Sequence, residues 1–537
     1  MSSPAAEAST TPVPVPSTWA ALRIGLFRAL WIGTLVSNIG TWMQTVGAQW
    51  LLVQEPNAAT WVSLVQTAQA LPVLFFALPA GVLADSFNRR LLLLGVQAFQ
   101  TVVALVLTLV TAAGAMTPPL LLALTFALGA GSAVQAPAYQ AVIPELVPRH
   151  LVPGASVLGS INVNLARAVG PALAGLIVAR LGVTAVFAAN VATFVVFAAI
   201  LLGWRHDTEP PGTERFLPGL RAGGRYVRHS PVVRRIMLRC MMFVVPANVL
   251  WALLALVAER RLNLGAGGYG VMLAALGIGS IAGAFMIPRA WALLSTNRLV
   301  AVGSLLYALT LVILVVTPTA WLGIIGLLPA GVAWIGVLST LNATLQTFLP
   351  VWVRARGLAI YQLVMFGSMA AAGPLWGTIA ENFGLGAAYL SAAALLVLGA
   401  AATRLLPMRD VAHMDRDPAL FWPEPRLALE AEEHPGDVLI ILTYTVGEEN
   451  RREFLDLMPT VRRMRRRTGA TAWRLYVDAA EPERYLELYT VASWYEHMLQ
   501  HSGRLTGSDR EIDLHARRLS KEPVEAQHLF TARLRDD

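Results

Sequence analysis

Among 537 residues the chain holds one cysteine, Cys240, and one lysine, Lys521. The first scarcity excludes an internal disulfide and a thiolate metal cluster, and it leaves the redox compartment unspecified. The second, together with the absence of a Gly-rich phosphate-binding loop bearing a lysine, argues against an ATP-driven pump. Charge is scarce as well: Asp, Glu, Lys and Arg make up 14% of the chain, against about 25% in soluble globular proteins. Residues 1–408 hold nine acids against 22 arginines, while residues 409–537 hold 24 acids against 18 arginines and the lysine. The two stretches therefore belong to different solvents. The arginines of the first stretch sit in short clusters between apolar runs, as the flanks of membrane helices do, so no nucleic-acid partner is expected.

What is abundant is apolar: hydrophobic residues make up 56% and mean hydropathy is +0.57. Since about 20 apolar residues cross a bilayer, twelve spans are expected: 29–53, 61–84, 91–113, 118–140, 153–179, 182–204, 237–258, 268–288, 299–317, 320–346, 357–380 and 386–404. With the N terminus in the cytoplasm, 17 arginines fall in inner segments before the tail and only Arg180, Arg260 and Arg261 fall outside. The positive-inside rule then places both termini in the cytoplasm. The expected division is a disordered Ser/Thr/Pro/Ala-rich lead over 1–21, a six-helix half over 22–204, a cytoplasmic loop over 205–235, a second half over 236–404, a Pro- and acid-rich linker over 405–436 and a soluble domain over 437–537. The lead lacks a basic start and an apolar core, so the first span is expected to be retained.

Punctuation repeats at an offset of 203: Gly170-Pro171-Ala-Leu-Ala-Gly175 against Gly373-Pro374-Leu-Trp-Gly377, and Gly154 against Gly357. The repeat points to duplicated halves, which in secondary transporters meet around a midplane site. Proline removes a backbone hydrogen bond, so Gly170, Pro171, Gly175, Gly373 and Pro374 are read as hinges, with a simple packing groove as the alternative.

Between 29 and 404 the acids are Glu55, Asp85, Glu145, Asp207, Glu209, Glu214, Glu259 and Glu381, all in loops or at span ends. No coupling carboxylate is therefore placed inside the pathway. Arg167 stands near the centre of a span, where inserting a charge costs about 2.5–3.5 kcal/mol. It shares a face with Ser160 and Asn164. Either it binds an anionic substrate group or pairs with a mobile helix, or it is a structural arginine satisfied by carbonyls or an interface. Asn38, Gln44, Gln69, Gln135, Asn342 and Gln346, with Thr41, Thr45, Gln49, Gln66 and Tyr139, are polar positions at helical spacing. As a set they suggest a solvated cavity for a small-molecule substrate, although each alone reads as helix–helix glue. At the positions equivalent to Asn164 and Arg167 the second half has Gly367 and Ala370.

Gly81-Val-Leu-Ala-Asp85-Ser-Phe-Asn-Arg89-Arg90, between the second and third spans, resembles the loop signature of the major facilitator superfamily. The corresponding Gly283-Ala-Phe-Met-Ile-Pro288-Arg289 lacks the acid and the arginine pair. Leu30-Trp31 through Gln44, and Pro144-Glu145-Leu-Val-Pro148 leading to Asn164 through Pro171, are similar to the branch containing the enterobactin exporter and related transmembrane secretion effectors. The resemblance covers residues 22–404. It implies an all-α major facilitator fold of two six-helix halves in a bacterial inner membrane, and export of a drug- or siderophore-class compound by alternating access. It also implies a gating loop at Gly81, Asp85, Arg89 and Arg90. The Gly170 motif resembles a fifth-helix signature of antiporters. Many drug–proton antiporters carry an acid in the first helix, where this chain has Asn38, Gln44 and Gln49, so the coupling ion, a proton or another, stays open. An importer of the same fold is the alternative direction.

The tail alternates in the order strand 437–446, helix 449–468, strands 470–478 and 484–492, helix 493–500 extending irregularly to about 519, and strand 525–534, a ferredoxin-like α+β pattern. With Ser493-Trp494-Tyr-Glu-His497-Met-Leu-Gln-His501, it resembles the dimeric antibiotic-biosynthesis monooxygenases. That implies a regulatory or dimerising module, or alternatively an enzyme acting on the cargo. His497 and His501 at i, i+4 have metal- or haem-ligand spacing but no third ligand placed by sequence, and they read equally as an interface pair. No cofactor or metal is expected, and the chain is read as a non-enzyme. Arg462, Arg463, Arg465, Arg466 and Arg467 either touch anionic lipid or cover an exposed helix face.

Overall fold

A chain that crosses hydrocarbon must satisfy its backbone internally, which favours helices over open strands. The computed structural model describes residues 18–204, 216–405, 407–408, 414–419, 422, 428–429 and 436–532, with the side chains at 18, 77, 78, 81, 82, 84–86 and 216–222 outside the description. Its first part is helical: α1 (Gly25–Leu51), α2 (Ala58–Ser86), α3 (Arg89–Ala112), α4 (Pro118–Leu146), α5 (Val152–Leu181), α6 (Val183–Gly203), α7 (Phe216–His229), α8 (Pro231–Leu256), α9 (Ala266–Leu293), α10 (Thr296–Val316), α11 (Ala320–Phe348) and α12 (Val351–Leu405). Among the described residues, ten helices are long and apolar enough to cross a membrane. α1 is not one of the ten, because Asn38, Thr41, Gln44, Thr45 and Gln49 dilute its apolar character.

The repeat is visible in backbone geometry. α5 gives way to α6 at Gly182 (φ 81°, ψ 172°), and α12 loses helical conformation only at Gly384 (φ 86°, ψ 162°), 202 residues later. Both turns occupy the positive-φ region open chiefly to glycine.

Three expectations need correction. Residues 1–17 of the expected disordered lead lie outside the described residues, but Thr18–Arg23 forms a 3-10 turn. Its Ala21, 1% exposed, clusters with Phe27, Ile143 and Leu158, an apolar seat that composition did not reveal. Of the expected loop 205–235, residues 205–215 lie outside the description. The rest holds α7 and the start of α8, where Pro231 occupies the first turn and the Ser230 hydroxyl accepts from Val233 N. The expected loop after the second span shrinks to Phe87 and Asn88. Helix α2 continues to Ser86, and the Asn88 side chain caps α3 by accepting from Arg90 N and Leu91 N.

The C-terminal domain contains β1 (Val438–Thr445), α13 (Glu448–Thr468), β2 (Ala470–Val477), β3 (Arg484–Val491), α14 (Trp494–Leu499), α15 (Gly507–Arg518) and β4 (Glu525–Phe530). The sheet order is β2-β3-β1-β4 and every pairing is antiparallel. The irregular continuation expected after residue 500 is a π-turn at Gln500–Arg504 followed by α15, which a capping box of Thr506 and Asp509 starts afresh. Alternation along β1 buries Val438, Ile440, Leu442 and Tyr444 against Phe454, Met458 and Val461 of α13, forming a core separate from that of the bundle. Part of the expected linker is docked on the domain: Ala419 N donates to Leu505 O at 3.0 Å and Gly507 N to Asp417 O at 3.2 Å.

Candidate functional site

The two Gly-Pro copies lie on the two seams where the halves meet. On the α5–α9 seam, a Cβ added at Gly175 would stand 2.8 Å from Ala266 O and 2.9 Å from Gly270 Cα, and one at Gly277 would stand 2.6 Å from Ala168 Cα. On the α12–α2 seam, a Cβ at Gly373 would lie 2.8 Å from Ser63 O, and one at Gly377 would lie 3.0 Å from Ala59 O. These glycines let backbones of opposite halves touch, as small residues do between membrane helices. Gly170 instead lets α1 approach α5: a Cβ there would stand 2.6 Å from Trp42 Cβ. Both helices continue through Pro171 and Pro374. The motif therefore forms a seam in this structure, and the break in helical conformation within α12 falls at Gly384.

Hydrogen bonds between the halves gather toward the bundle end opposite the C-terminal domain, here the distal end. Gln49 accepts from the Tyr269 hydroxyl at 2.5 Å and donates to Trp251 O at 2.9 Å. Gln54 donates to Glu259 at 2.9 Å, Ala59 N to Glu381 at 3.2 Å, and Arg260 to Val53 O at 3.4 Å. Glu381 thus meets the positive N-terminal end of α2. Deeper in, the Thr67 hydroxyl donates to Ala370 O at 2.9 Å. Tyr269→Phe would leave Gln49 short of one donor. It is expected to weaken distal closure by about 1 kcal/mol, roughly a fivefold shift in population. Faster labelling of Thr41→Cys from the distal side, in a Cys240→Ala background, is the measure; unchanged labelling would count against this closure.

Arg167 stands one turn before the Gly170-Pro171 pair. Its guanidinium carbon lies 5.5 Å from the Trp42 ring centroid, and its buried Nε has no hydrogen-bond partner among the described residues. Trp42 in turn lies 5.8 Å from Trp251 of α8, and Trp251 lies 5.6 Å from Trp334 of α11. An aromatic row from both halves therefore runs up to a cation with donor capacity left over. Sequence reading reached Arg167 but not Trp251 or Trp334, because rings from separate segments meet only in the fold.

The other polar positions divide. Asn38 donates to Asn162 at 2.9 Å, which donates to Trp31 O at 2.8 Å, and Gln69 donates to Thr45 at 2.6 Å. Asn164 bonds back to Ser160 O of its own helix at 2.9 Å. Gln346 donates to Asn342, and both line a depression with Tyr361 and Met365. Gln44 and Gln135 are buried inside the first half, where Gln44 accepts from Asn190 and Gln135 from Gln97 at 2.8 Å. These two link helices within the half. Asn162, Asn190 and Gln97 were missed for the same reason as the tryptophans.

Of the loop signature, nothing beyond the helical backbone of α2 is described at positions 81 and 85. Arg89 pairs with Glu145 of α4 and donates to Ala141 O at 3.2 Å. Arg90 donates to Leu201 O and Leu202 O at 3.1 and 3.0 Å, capping α6. These bonds stay within the first half.

The arginine row of α13 is neither a lipid patch nor a solvated face throughout. Arg465 is fully buried, bonded to Glu487 at 2.9 Å and Asp513 at 2.8 Å, and Arg467 pairs with Asp509 and lies over Tyr226 of α7. Beside it, Glu496 holds Arg504 and Arg225, and Arg504 lies 5.0 Å over Trp352 of α12. These contacts seat the C-terminal domain on the bundle.

Residues 16–534 match the transmembrane secretion effector family. The chain is similar to the staphyloferrin A transporter of Staphylococcus aureus, 22% identical over 276 residues that span 51% of this chain and 69% of that one. It is also similar to the multidrug efflux pump Tap of Mycobacterium tuberculosis, 29% identical over 218 residues, 38% of this chain and about half (51%) of that one. In fold it resembles the nucleoside transporter NupG, with a TM-score of 0.58 at 13% identity, covering 72% of this chain and 100% of that one. A match over nearly the whole length settles the family: the chain belongs to the transmembrane secretion effectors, transporters of the major facilitator type with membrane-spanning helices.

Proposed function

We propose that the chain is a secondary-active exporter of small organic compounds of the drug or siderophore class. It works by alternating access between two six-helix halves, residues 22–204 and 236–404, with both termini in the cytoplasm. The observation that carries the reading is the crossed pairing of the repeat, α5 on α9 and α12 on α2, which gives each half one Gly-lined surface against the other. Counting α1, and dividing α12 at Gly384, makes twelve spans. Arg167, Trp42 and Trp251 would meet an anionic or amphipathic substrate, with Asn38, Gln69, Asn342 and Gln346 as further polar contacts. Arg89 and Arg90 would brace the cytoplasmic side of the first half, with Asp85 as the acid of the same sequence signature. Glu259 and Glu381 are the acids at the distal closure, where each accepts a hydrogen bond from the other half. That makes a proton the favoured coupling ion. Outward transport is favoured by the family's description and by a relative named as an efflux pump.

The order β2-β3-β1-β4 supports a ferredoxin-like domain over 437–537, of the monooxygenase-like type. The sheet face away from α13 carries half-buried Leu439, Ile441, Leu486 and Leu488, a surface suited to a second copy.

Proteoliposomes with the C-terminal domain facing out, offered siderophores and amphipathic drugs under a pH gradient or a membrane potential applied separately, test the function. Accumulation inside, driven by the pH gradient, is expected. Accumulation insensitive to both gradients would overturn the coupled exporter, and substrate movement toward the C-terminal-domain side would replace it by an importer.

A further inference from the structure

The i, i+4 pair His497 and His501 gains a third member in the folded domain, His528 of β4, 27 residues beyond His501 in sequence. His497 Nε2 lies 3.2 Å from His501 Nε2 and 3.0 Å from His528 Nε2, and one ligand nitrogen from each ring falls within 4.8 Å of the others. Three imidazoles bound tetrahedrally to zinc at about 2.0–2.1 Å place their nitrogens roughly 3.3 Å apart. The rings are therefore nearly at ligand spacing before any ion is considered.

The protons can be placed from the surrounding bonds. The Thr468 hydroxyl donates to Met464 O at 3.0 Å, so its oxygen accepts from Gln500 Nε2 at 3.1 Å. That fixes the Gln500 amide with Oε1 toward His497 Nδ1, 3.1 Å away. Nδ1 must then carry the proton, and His497 Nε2 presents a lone pair. One lone pair faces two ring nitrogens and can accept from only one of them. An ion at the centre would use all three lone pairs, and the Thr468–Gln500–His497 chain is the kind of outer support that orients metal-bound histidine. Burial first, then the neighbouring rings, holds His497 down to about 3 and His501 to about 4, so both are neutral near pH 7.

The fold gives these rings fixed positions. His497 is 1% exposed, and the helix after α14 widens into a π-turn at Gln500–Arg504, an uncommon feature found often at functional sites. Trp494 packs 5.3 Å from His497 and 5.6 Å from His528, and Trp422 lies 5.0 Å from His501. We propose that His497, His501 and His528 form a binding site for one divalent transition-metal ion of the zinc–copper class, with a fourth position open to water or another ligand. Three imidazoles without thiolate or carboxylate suit zinc, copper, nickel or cobalt over magnesium or calcium.

The test uses the full chain purified in detergent without a polyhistidine tag. Titration with Co2+ is expected to give the visible bands of a four-coordinate site, saturating at one equivalent per chain and bleached by Zn2+. His528→Ala, a half-buried position on an edge strand, and His501→Ala are expected to abolish the bands, while His515→Ala keeps them. Gln500→Leu is expected to lower affinity about 10- to 100-fold without changing the stoichiometry. Absence of the bands in the wild-type chain, or bands that persist in both His528→Ala and His501→Ala, would overturn the site.

Discussion

Glu487→Ala is expected to destabilise the C-terminal domain by about 3–5 kcal/mol, the usual effect of removing one partner from a buried ion pair. Glu487 has no exposed side-chain surface and accepts from Arg465 at 2.9 Å, from Trp473 Nε1 at 2.8 Å and from the Tyr444 hydroxyl at 2.9 Å. Its loss leaves a buried guanidinium facing one remaining acid, Asp513, which Arg517 and Trp422 also engage at 2.7 and 3.2 Å. For a domain of this size the change corresponds to a melting transition roughly 15–30 °C lower. Hydrogen exchange over β1 and β3 in the full chain is the measurement, with bundle peptides as the internal reference. Wild-type protection of both strands would refute it. Arg465→Met combined with Glu487→Met is expected to be milder than either single change, because Asp513 keeps two other partners and no charge is stranded.

Arg167→Ala is expected to leave insertion intact and to lower transport of an anionic substrate about 10- to 100-fold, the effect of losing a hydrogen bond to a charged group. The guanidinium lies over Trp42 with Nε free among the described residues. A planar fork with spare donors suits carboxylate or catecholate oxygens, whereas lysine offers a single point charge. Arg167→Lys is therefore expected to recover only part of the rate. Transport by Arg167→Ala at the wild-type rate, with normal amounts in the membrane, would leave the residue a structural role only.

The boundaries of most elements were legible because apolar runs and strand alternation are local properties: α5 at 152–181 against an expected 153–179, and β3 at 484–491 against 484–492. What escaped depends on residues distant in sequence. Arg465 read as surface because its neighbours are arginines. Yet Tyr485, Glu487, Tyr489 and Val491 share the buried face of β3, and an acid at that register calls for a buried cation. His528 gave no signal, since β4 reaches His497 only through its antiparallel pairing with β1. Gln135 read as a cavity residue because helical spacing cannot tell a partner helix from a pathway.

The Gly-lined seams carry a consequence for energetics. Backbone sliding on backbone breaks few directional bonds, so rotation of the halves meets little resistance there. In the proposed alternating access, the balance between conformations rests on few interactions, chiefly those of Gln49, Gln54 and Glu381 at the distal end. At about 1 kcal/mol each, these four bonds sum to roughly 4 kcal/mol, a bias that differential binding of one small molecule is large enough to reverse. Under the proposed alternating access, a bundle so lightly latched can be driven by its own cargo.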